Sequence, residues 1–142
     1  WSPGGNEIVF ESLRDNNREI VVINTDGSGE TRLTNNAIED ANPVWSPDGS
    51  EIAFHGKRQG EGDQDIYTMD ADGNNVTQVT SNSNFYDISP TWSADGSQIA
   101  FESNREGSGG SDIYKINADG TSPVRITTSS AFEEHPSWSP LE

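Results

Sequence analysis

Short apolar and β-branched runs, separated by polar clusters rich in Ser, Asn, Asp and Gly, return along this chain at a nearly constant interval. The clearest statement is Trp45-Ser46-Pro47-Asp48-Gly49-Ser50-Glu51-Ile52-Ala53-Phe54, which recurs as Trp92 to Phe101, appears earlier as Trp1 to Phe10, and restarts at Trp138-Ser139-Pro140. Successive tryptophans lie 44, 47 and 46 residues apart. A period of this size marks an array of supersecondary units. Within each unit the first apolar run ends at the Trp. Ser-Pro-Asp-Gly then supplies turn chemistry, because Pro presets φ, Asp caps its own backbone and Gly accepts positive φ. A second run (Ile-Ala-Phe) and a third (Glu19–Ile23, Asp65–Met69, Asp112–Ile116) follow. The third run meets an Asp-Gly turn, and a short fourth run closes the unit at Thr31–Thr34, Thr77–Thr80 and Val124–Thr127. None of these runs carries a helical period. The pattern predicts an all-β chain of three four-stranded antiparallel blades, a β-propeller architecture, with units at 1–44, 45–91 and 92–137.

Pro43-x-Trp45-Ser46-Pro47-Asp48-Gly49, then Ile-Ala-Phe, Ser103-Asn104-Arg105, Asp-Ile-Tyr, Asp-Gly and a hydrophobic-Thr strand end resembles the repeat of the TolB-like β-propellers, and the likeness runs through essentially the whole chain. The resemblance implies the fold. It also implies a periplasmic or extracellular setting and a role in protein interaction, while enzymes that carry such propellers keep their nucleophile on a separate domain. A polysaccharide lyase-like or other enzyme using the channel face, and an envelope protein-interaction subunit, are the alternatives that the resemblance leaves open.

Charge narrows the partners. The chain holds 24 acidic and 8 basic residues, a formal net charge of −16, which disfavours nucleic acid and anionic membrane surfaces. No apolar run approaches the roughly 18 residues of a membrane-spanning segment. The absence of cysteine excludes disulfides and thiol chemistry.

Because Trp45, Trp92 and Trp138, with Phe10, Phe54, Phe101, Tyr67 and Tyr114, recur at fixed places in the units, blade packing is their expected role. Arg14, Arg58 and Arg105 share one repeat position and Glu19, Asp65 and Asp112 another, predicting ion pairs or side-chain to backbone bonds within each blade in preference to an anion-binding ring. Asp70-Ala71-Asp72-Gly73-Asn74-Asn75 starts like a calcium loop, but its Gly falls too early and no Glu follows, so it reads as a turn. Asp40, Asp87 and Glu133 precede Pro43, Pro90 and Pro136 by three residues, which would bring them to the mouth of a central channel. There they would either bind Ca2+ or another divalent cation or stay as solvated carboxylates. His55 and His135 do not recur, and only the pair Glu134–His135 merits notice as chemistry. The loops 35–42, 81–89 and 128–135 vary between units, and variable loops on a constant scaffold carry binding.

The chain reads as a non-enzymatic scaffold piece cut from a longer array, with Leu141-Glu142 as an appended remnant and 131–140 as an extra inner strand. Three blades fall short of the 4 to 8 of closed propellers. The expectation is therefore homo-oligomerisation, six blades as a dimer before nine as a trimer, with a protein, peptide or cation bound at the channel face. Unit one has no equivalent of Ala41 to Val44, whereas Glu134-His135-Pro136-Ser137-Trp138 repeats that strand with nothing after it. The sequence thus predicts strand exchange between chains, Trp138 taking the packing site of Trp45 and Trp92 and leaving Trp1 redundant.

Overall fold

A computed structural model describes residues 1–57, 62–81, 84–106, 110–128 and 131–139. Arg58, the first half of the loop 59–64, Asn82 and Ser83, the centre of the loop 106–111, Ser129 and Ser130, Pro140 and Leu141-Glu142 lie outside these. Among the described residues eleven strands form three antiparallel sheets. Blade one has three strands, β1 (Glu7–Arg14), β2 (Asn17–Asn24) and β3 (Thr31–Arg32). Blade two has β4 (Asp40–Trp45), β5 (Glu51–Gly56), β6 (Asp65–Asp70) and β7 (Thr77–Gln78), and blade three has β8 (Asp87–Trp92), β9 (Gln98–Ser103), β10 (Asp112–Asn117) and β11 (Val124–Arg125). Trp45 and Trp92 end the inner strands β4 and β8, so these blades start before the sequence units that begin at Trp45 and Trp92. No helix among the described residues is long and apolar enough to cross a membrane.

The turns form as their chemistry dictates. In the first hairpin turn Asp48 Oδ1 accepts from Ser46 Oγ (2.7 Å), the Ser50 amide (3.0 Å) and Ser50 Oγ (2.8 Å), which together hold the carboxyl down at about 2. Asp95 repeats this with Ser93 and Ser97. The Asp70–Asn74 segment is likewise a hairpin turn, Asp72 Oδ1 accepting from the Asn74 amide at 3.0 Å. Gly73 and Gly120 are required twice over: both have positive φ, and a Cβ would stand 2.9 Å from Leu33 O and 2.8 Å from Val79 O of the preceding blade.

The core lies between blades. Trp45, Ile52, Phe54, Tyr67 and Met69 pack on Val9, Ile20 and Val22 of blade one, and Trp92, Ile99, Phe101, Tyr114 and Ile116 pack on Ala53, Ile66 and Val79 of blade two. Because β5 and β9 are covered on both faces, they read as unbroken apolar triplets. Ile52 and Phe54 fill one face while the small Ala53 leaves room for Trp92 on the other. Phe54 stacks on Tyr67 with ring centres 5.8 Å apart, and Phe101 on Tyr114 at 6.0 Å. Phe10, at the same position of blade one, is only half-buried.

Each blade is tied by one polar knot. The equivalent strands β2, β6 and β10 carry a buried carboxylate at or near their start, Glu19, Asp65 or Asp112. It accepts from a fourth-strand Thr (Thr34 2.6 Å, Thr80 3.1 Å, Thr127 3.1 Å), whose oxygen accepts in turn from the amide of Ile20, Ile66 or Ile113. Two residues before that Thr, a side chain satisfies the other carboxylate oxygen: Arg32 (2.8 Å), Gln78 (2.9 Å) and Arg125 (2.7 Å). The expected partners were Arg14, Arg58 and Arg105. Instead Arg14 pairs with Glu30 at 2.8 Å and Arg105 with Asp87 at 2.9 Å, because the fourth strand lies beside the third and brings Arg32 and Arg125 closer.

Thr80→Val keeps the shape but strips the hydroxyl from the Ile66 amide and the Asp65 carboxylate, both buried. Urea unfolding is expected to show a loss of about 1–3 kcal/mol, largely restored in Thr80→Ser.

Candidate functional site at the inner-strand rim

The strand nearest the axis carries a proline in every repeat. Pro gives the ladder no N–H, so the strand must break its register there. Against β5, the register of β4 passes from Ala41↔His55 to Val44↔Ala53, one extra residue on the inner strand, and β8 does the same between Ile88 and Thr91. The residue before each proline lies in the left-handed region: Asn42 at φ 51°, Ser89 at 54° and His135 at 56°. This bulge turns its amide out of the sheet, and in all three cases a side chain of the preceding blade takes it. Asn42 N–H donates to Glu11 Oε2 (2.9 Å), Ser89 N–H to His55 Nδ1 (3.4 Å) and His135 N–H to Glu102 Oε1 (2.8 Å). The three acceptors follow Phe10, Phe54 and Phe101 directly, one position along the second strand.

These bulges converge. Asn42, Pro43, Val44, Ser89, Pro90, His135 and Pro136 line one concavity of about 240 Å³ at the inner strands. Its surface is proline rings and short polar side chains. Of the carboxylates expected at this rim, Asp40 and Asp87 turn into their blades. Asp40 and Asp87 are fully buried. Arg105 grips both oxygens of Asp87 at 3.1 and 2.9 Å while lying over the Tyr114 and Phe101 rings. Asp40 accepts from Asn36 Nδ2 at 2.6 Å. The side chains at the first residue of β4 and β8 point into the blade because the bulge that faces the axis comes two residues later. Glu133 is held through its backbone, its amide donating to Ser111 O (2.9 Å) and its carbonyl accepting from Ser111 Oγ (3.4 Å). Among the described residues no three His, Asp or Glu side chains gather as a metal site. His135 meets Glu102, with Nδ1 and Oε1 3.2 Å apart, and not its neighbour Glu134.

The sequence reading missed the bulge clamp because its acceptors alternate in kind, Glu, His, Glu. The available signal was position: an acceptor side chain directly after each Ile-Val-Phe or Ile-Ala-Phe triplet, and an X-Pro in each following inner strand. It also missed Trp92 Nε1, which donates to Val44 O at 3.3 Å and bolts the indole to the preceding inner strand. Trp45 Nε1 and Trp138 Nε1 are buried with no hydrogen-bond partner among the described residues. Glu134, His135, Pro136, Ser137 and Trp138 run along blade three with no strand pairing among the described residues. Trp138 lines a cavity of about 300 Å³ together with Ala100, Ile113 and Ile126, the counterparts of the Ala53, Ile66 and Val79 that pack with Trp92.

His55 is buried where its counterparts are carboxylates. Burial pushes its pKa from 6.5 down to about 4, the Glu11 charge opposing and the Arg18 charge assisting. The folded state thus binds this proton less well than the unfolded chain. Its contribution is fully present above about pH 6.5 and drains away between 6.5 and 4, on the order of 3 kcal/mol in all. Relative to His55→Gln, the wild-type protein is expected to lose stability by this amount between pH 7 and pH 4 in urea titrations. A constant difference across that range would show that His55 does not titrate in this way.

The geometry agrees with known propellers. Residues 1–63 and 60–142 match the TolB beta propeller domain family. Putative TolB from Agrobacterium tumefaciens superposes with a TM-score of 0.81 at 26% identity over 99% of this chain and 53% of its own. TolB from Acinetobacter baumannii gives 0.76 at 24% identity over 93% of this chain and 32% of its own. An oligogalacturonate lyase in complex with manganese gives 0.74 over the whole chain and 42% of its own, at 12% identity, a likeness of fold alone. A comparison with curated protein sequences gives no match. The chain spans about half the length of the Agrobacterium protein and about a third of the Acinetobacter one. With the family model covering both halves of the sequence, this chain belongs to the TolB β-propeller domain family.

Proposed function

We propose that the chain is a non-enzymatic propeller scaffold whose three blades close a six-bladed ring by head-to-tail association of two copies. The ring presents the inner-strand rim and the loops 35–42, 81–89 and 128–135 to a protein or peptide partner. One observation carries this reading. The outer face of blade three repeats the face of blade two that blade three itself covers, and the segment 131–139 covers it only in part. Ile126 is 52% exposed where its counterpart Val79 is 6% exposed. At the other end, Phe10 is half-buried where Phe54 and Phe101 are fully buried, and Trp1 is 74% exposed. Two faces that match the two halves of an existing interface complement each other, and a two-fold axis along the ring lets both pairs close at once. Two copies give six blades, inside the common range of about 4 to 8, whereas three give nine.

The net charge of −16 favours a partner carrying basic groups at this rim. The support for a binding role over catalysis is the rim's lining of prolines and short polar side chains, with its acidic neighbours committed to Arg105, Asn36 and backbone amides.

Light scattering is expected to give twice the chain mass at micromolar concentration. Ile126→Glu, a substitution at a side chain already exposed in the single chain, is expected to shift the population to monomer without unfolding it. A concentration-independent monomer mass for the wild-type protein overturns the ring.

A further inference from the structure

We infer that the cleft between blades one and two, at the turn end of the sheets, binds a small organic cation, a ligand with a short aromatic or alkyl body and one ammonium or guanidinium head. The site lies at the opposite end of the blades from the loops 35–42 and 81–89 and is independent of the ring. The pairs Glu7↔Asn24 and Glu51↔Asp70 mark this end, where the hairpin after the Trp and the Asp-Gly turn of each blade lie side by side. Blade two touches blade one here through glycine backbone. A Cβ on Gly49 would stand 3.4 Å from Pro3 Cδ, and one on Gly73 2.9 Å from Leu33 O. Beside these contacts the blades part and leave a cleft of about 570 Å³. Sites for small molecules span roughly 300–1,000 Å³. The blade-one wall is bare backbone at Gly4 and Gly29, where the later units carry Asp48 and Asp95, and Asn75 and Ser122. Val9, whose counterpart Ala53 is paired with Val44 of an inner strand, does not line the cleft, which is shaped by the turns and the outer strands.

Val22, Leu33, Trp45 and Ala71, all packed in the core between these blades, give the cleft an apolar floor. Glu7, half-buried, and Asp48 and Asp72, both exposed, give it a carboxylate rim, and no Lys or Arg lines it. Asp48 spends Oδ1 on its own turn, while its Oδ2 and the Glu7 carboxylate accept no hydrogen bond among the described residues. The cations are engaged at the other end of the blades: Arg18 on Glu11, Arg32 on Glu19, Arg105 on Asp87 and Arg125 on Asp112. Negative charge therefore accumulates at the turn end. Beside the cleft, burial pushes the Glu51 carboxyl up, and the charges of Asp48 and Asp70 push the same way. A cation seated between Glu7 and Asp48 relieves this repulsion while its body covers the apolar floor. A neutral ligand gains only the burial, and an anion is repelled. The rim carboxylates stand around an apolar floor without converging, and among the described residues no three form a metal site, so the fitting head is an organic cation and not a bare metal ion.

The test is an NMR titration of the full chain, labelled with nitrogen-15, with phenethylamine and with 2-phenylethanol, which has the same body and no charge. Phenethylamine is expected to give saturable shifts at the amides of Gly29, Ala71 and Asp72, and 2-phenylethanol to bind at least about tenfold more weakly. Glu7→Gln removes a charge at nearly constant volume and is expected to weaken phenethylamine about fivefold. Thr31→Arg, at an exposed position of the cleft wall, supplies a tethered cation and is expected to block the probe without lowering the melting temperature. Glu134→Gln, at an exposed position outside the cleft, is expected to leave the affinity unchanged. Equal affinity for amine and alcohol, indifference to both Glu7→Gln and Thr31→Arg, or shifts that spread without saturation over acidic residues at both ends of the blades overturns the site. A peptide Gly-Lys-Gly that moves the three amides where phenethylamine does not also overturns it, in favour of a peptide groove.

Discussion

A proline in the innermost strand removes a ladder hydrogen bond at the place where the blades crowd together, and the rest of the architecture answers to that loss. The residue before it adopts a left-handed conformation, the strand gains one residue, and the amide that no longer serves its own sheet reaches into the preceding one. Asn42 on Glu11, Ser89 on His55 and His135 on Glu102 are thus one interaction repeated, and it is directional. Apolar packing alone would let neighbouring sheets slide over one another. A hydrogen bond from a bulge to a fixed position of the preceding second strand sets the height at which they meet.

The same economy governs charge. A chain this acidic must keep some carboxylates inside, and burying an ionised group without partners costs several kcal/mol. Glu19, Asp65 and Asp112 are each met by a Thr hydroxyl and a cation or amide from the fourth strand, Asp87 by Arg105, and the turn aspartates by their own hydroxyls and amides. These partners belong to the blade that holds the carboxylate. Polar satisfaction is thereby local to each blade while hydrophobic burial is shared between blades, a division that allows a blade to be repeated many times with few changes at its polar positions.

That division also explains what could be read in advance. The Trp-Ser-Pro-Asp-Gly turn, the Ile-Ala-Phe triplet and the Asp-Gly turn are local signals, so strand order, turn positions and the packing role of Trp45, Phe54, Tyr67 and their counterparts were visible in the sequence. The Arg-to-carboxylate pairing was not, because Arg14 and Glu19 are near in sequence while Arg32 is near in space. The direction of Asp40 and Asp87 was also hidden. It depends on where the bulge falls in the strand, and a shift of one residue sends a side chain to the opposite face. His55 looked solitary because the interaction it makes is defined by an accepting atom at one position, which Glu11 and Glu102 supply with a different residue.

A repeat array whose core lies between its units has a consequence for its ends. In a single-core domain the last strand is covered by the same core as the first. Here each blade depends on a neighbour for one of its faces, so the three described blades share two interfaces, and Phe10 in blade one and Ile113 and Ile126 in blade three lie outside both. The acidic character of the chain does not protect these faces, because its charges sit in turns, in loops and inside blades. Glu102, the carboxylate on the outer face of blade three, is already taken up by His135. Long-range repulsion between copies that each carry −16 is screened over about 10 Å at 0.1 M salt. In the proposed ring, faces that meet at van der Waals distance would decide the association, and charge chiefly how fast two copies find each other.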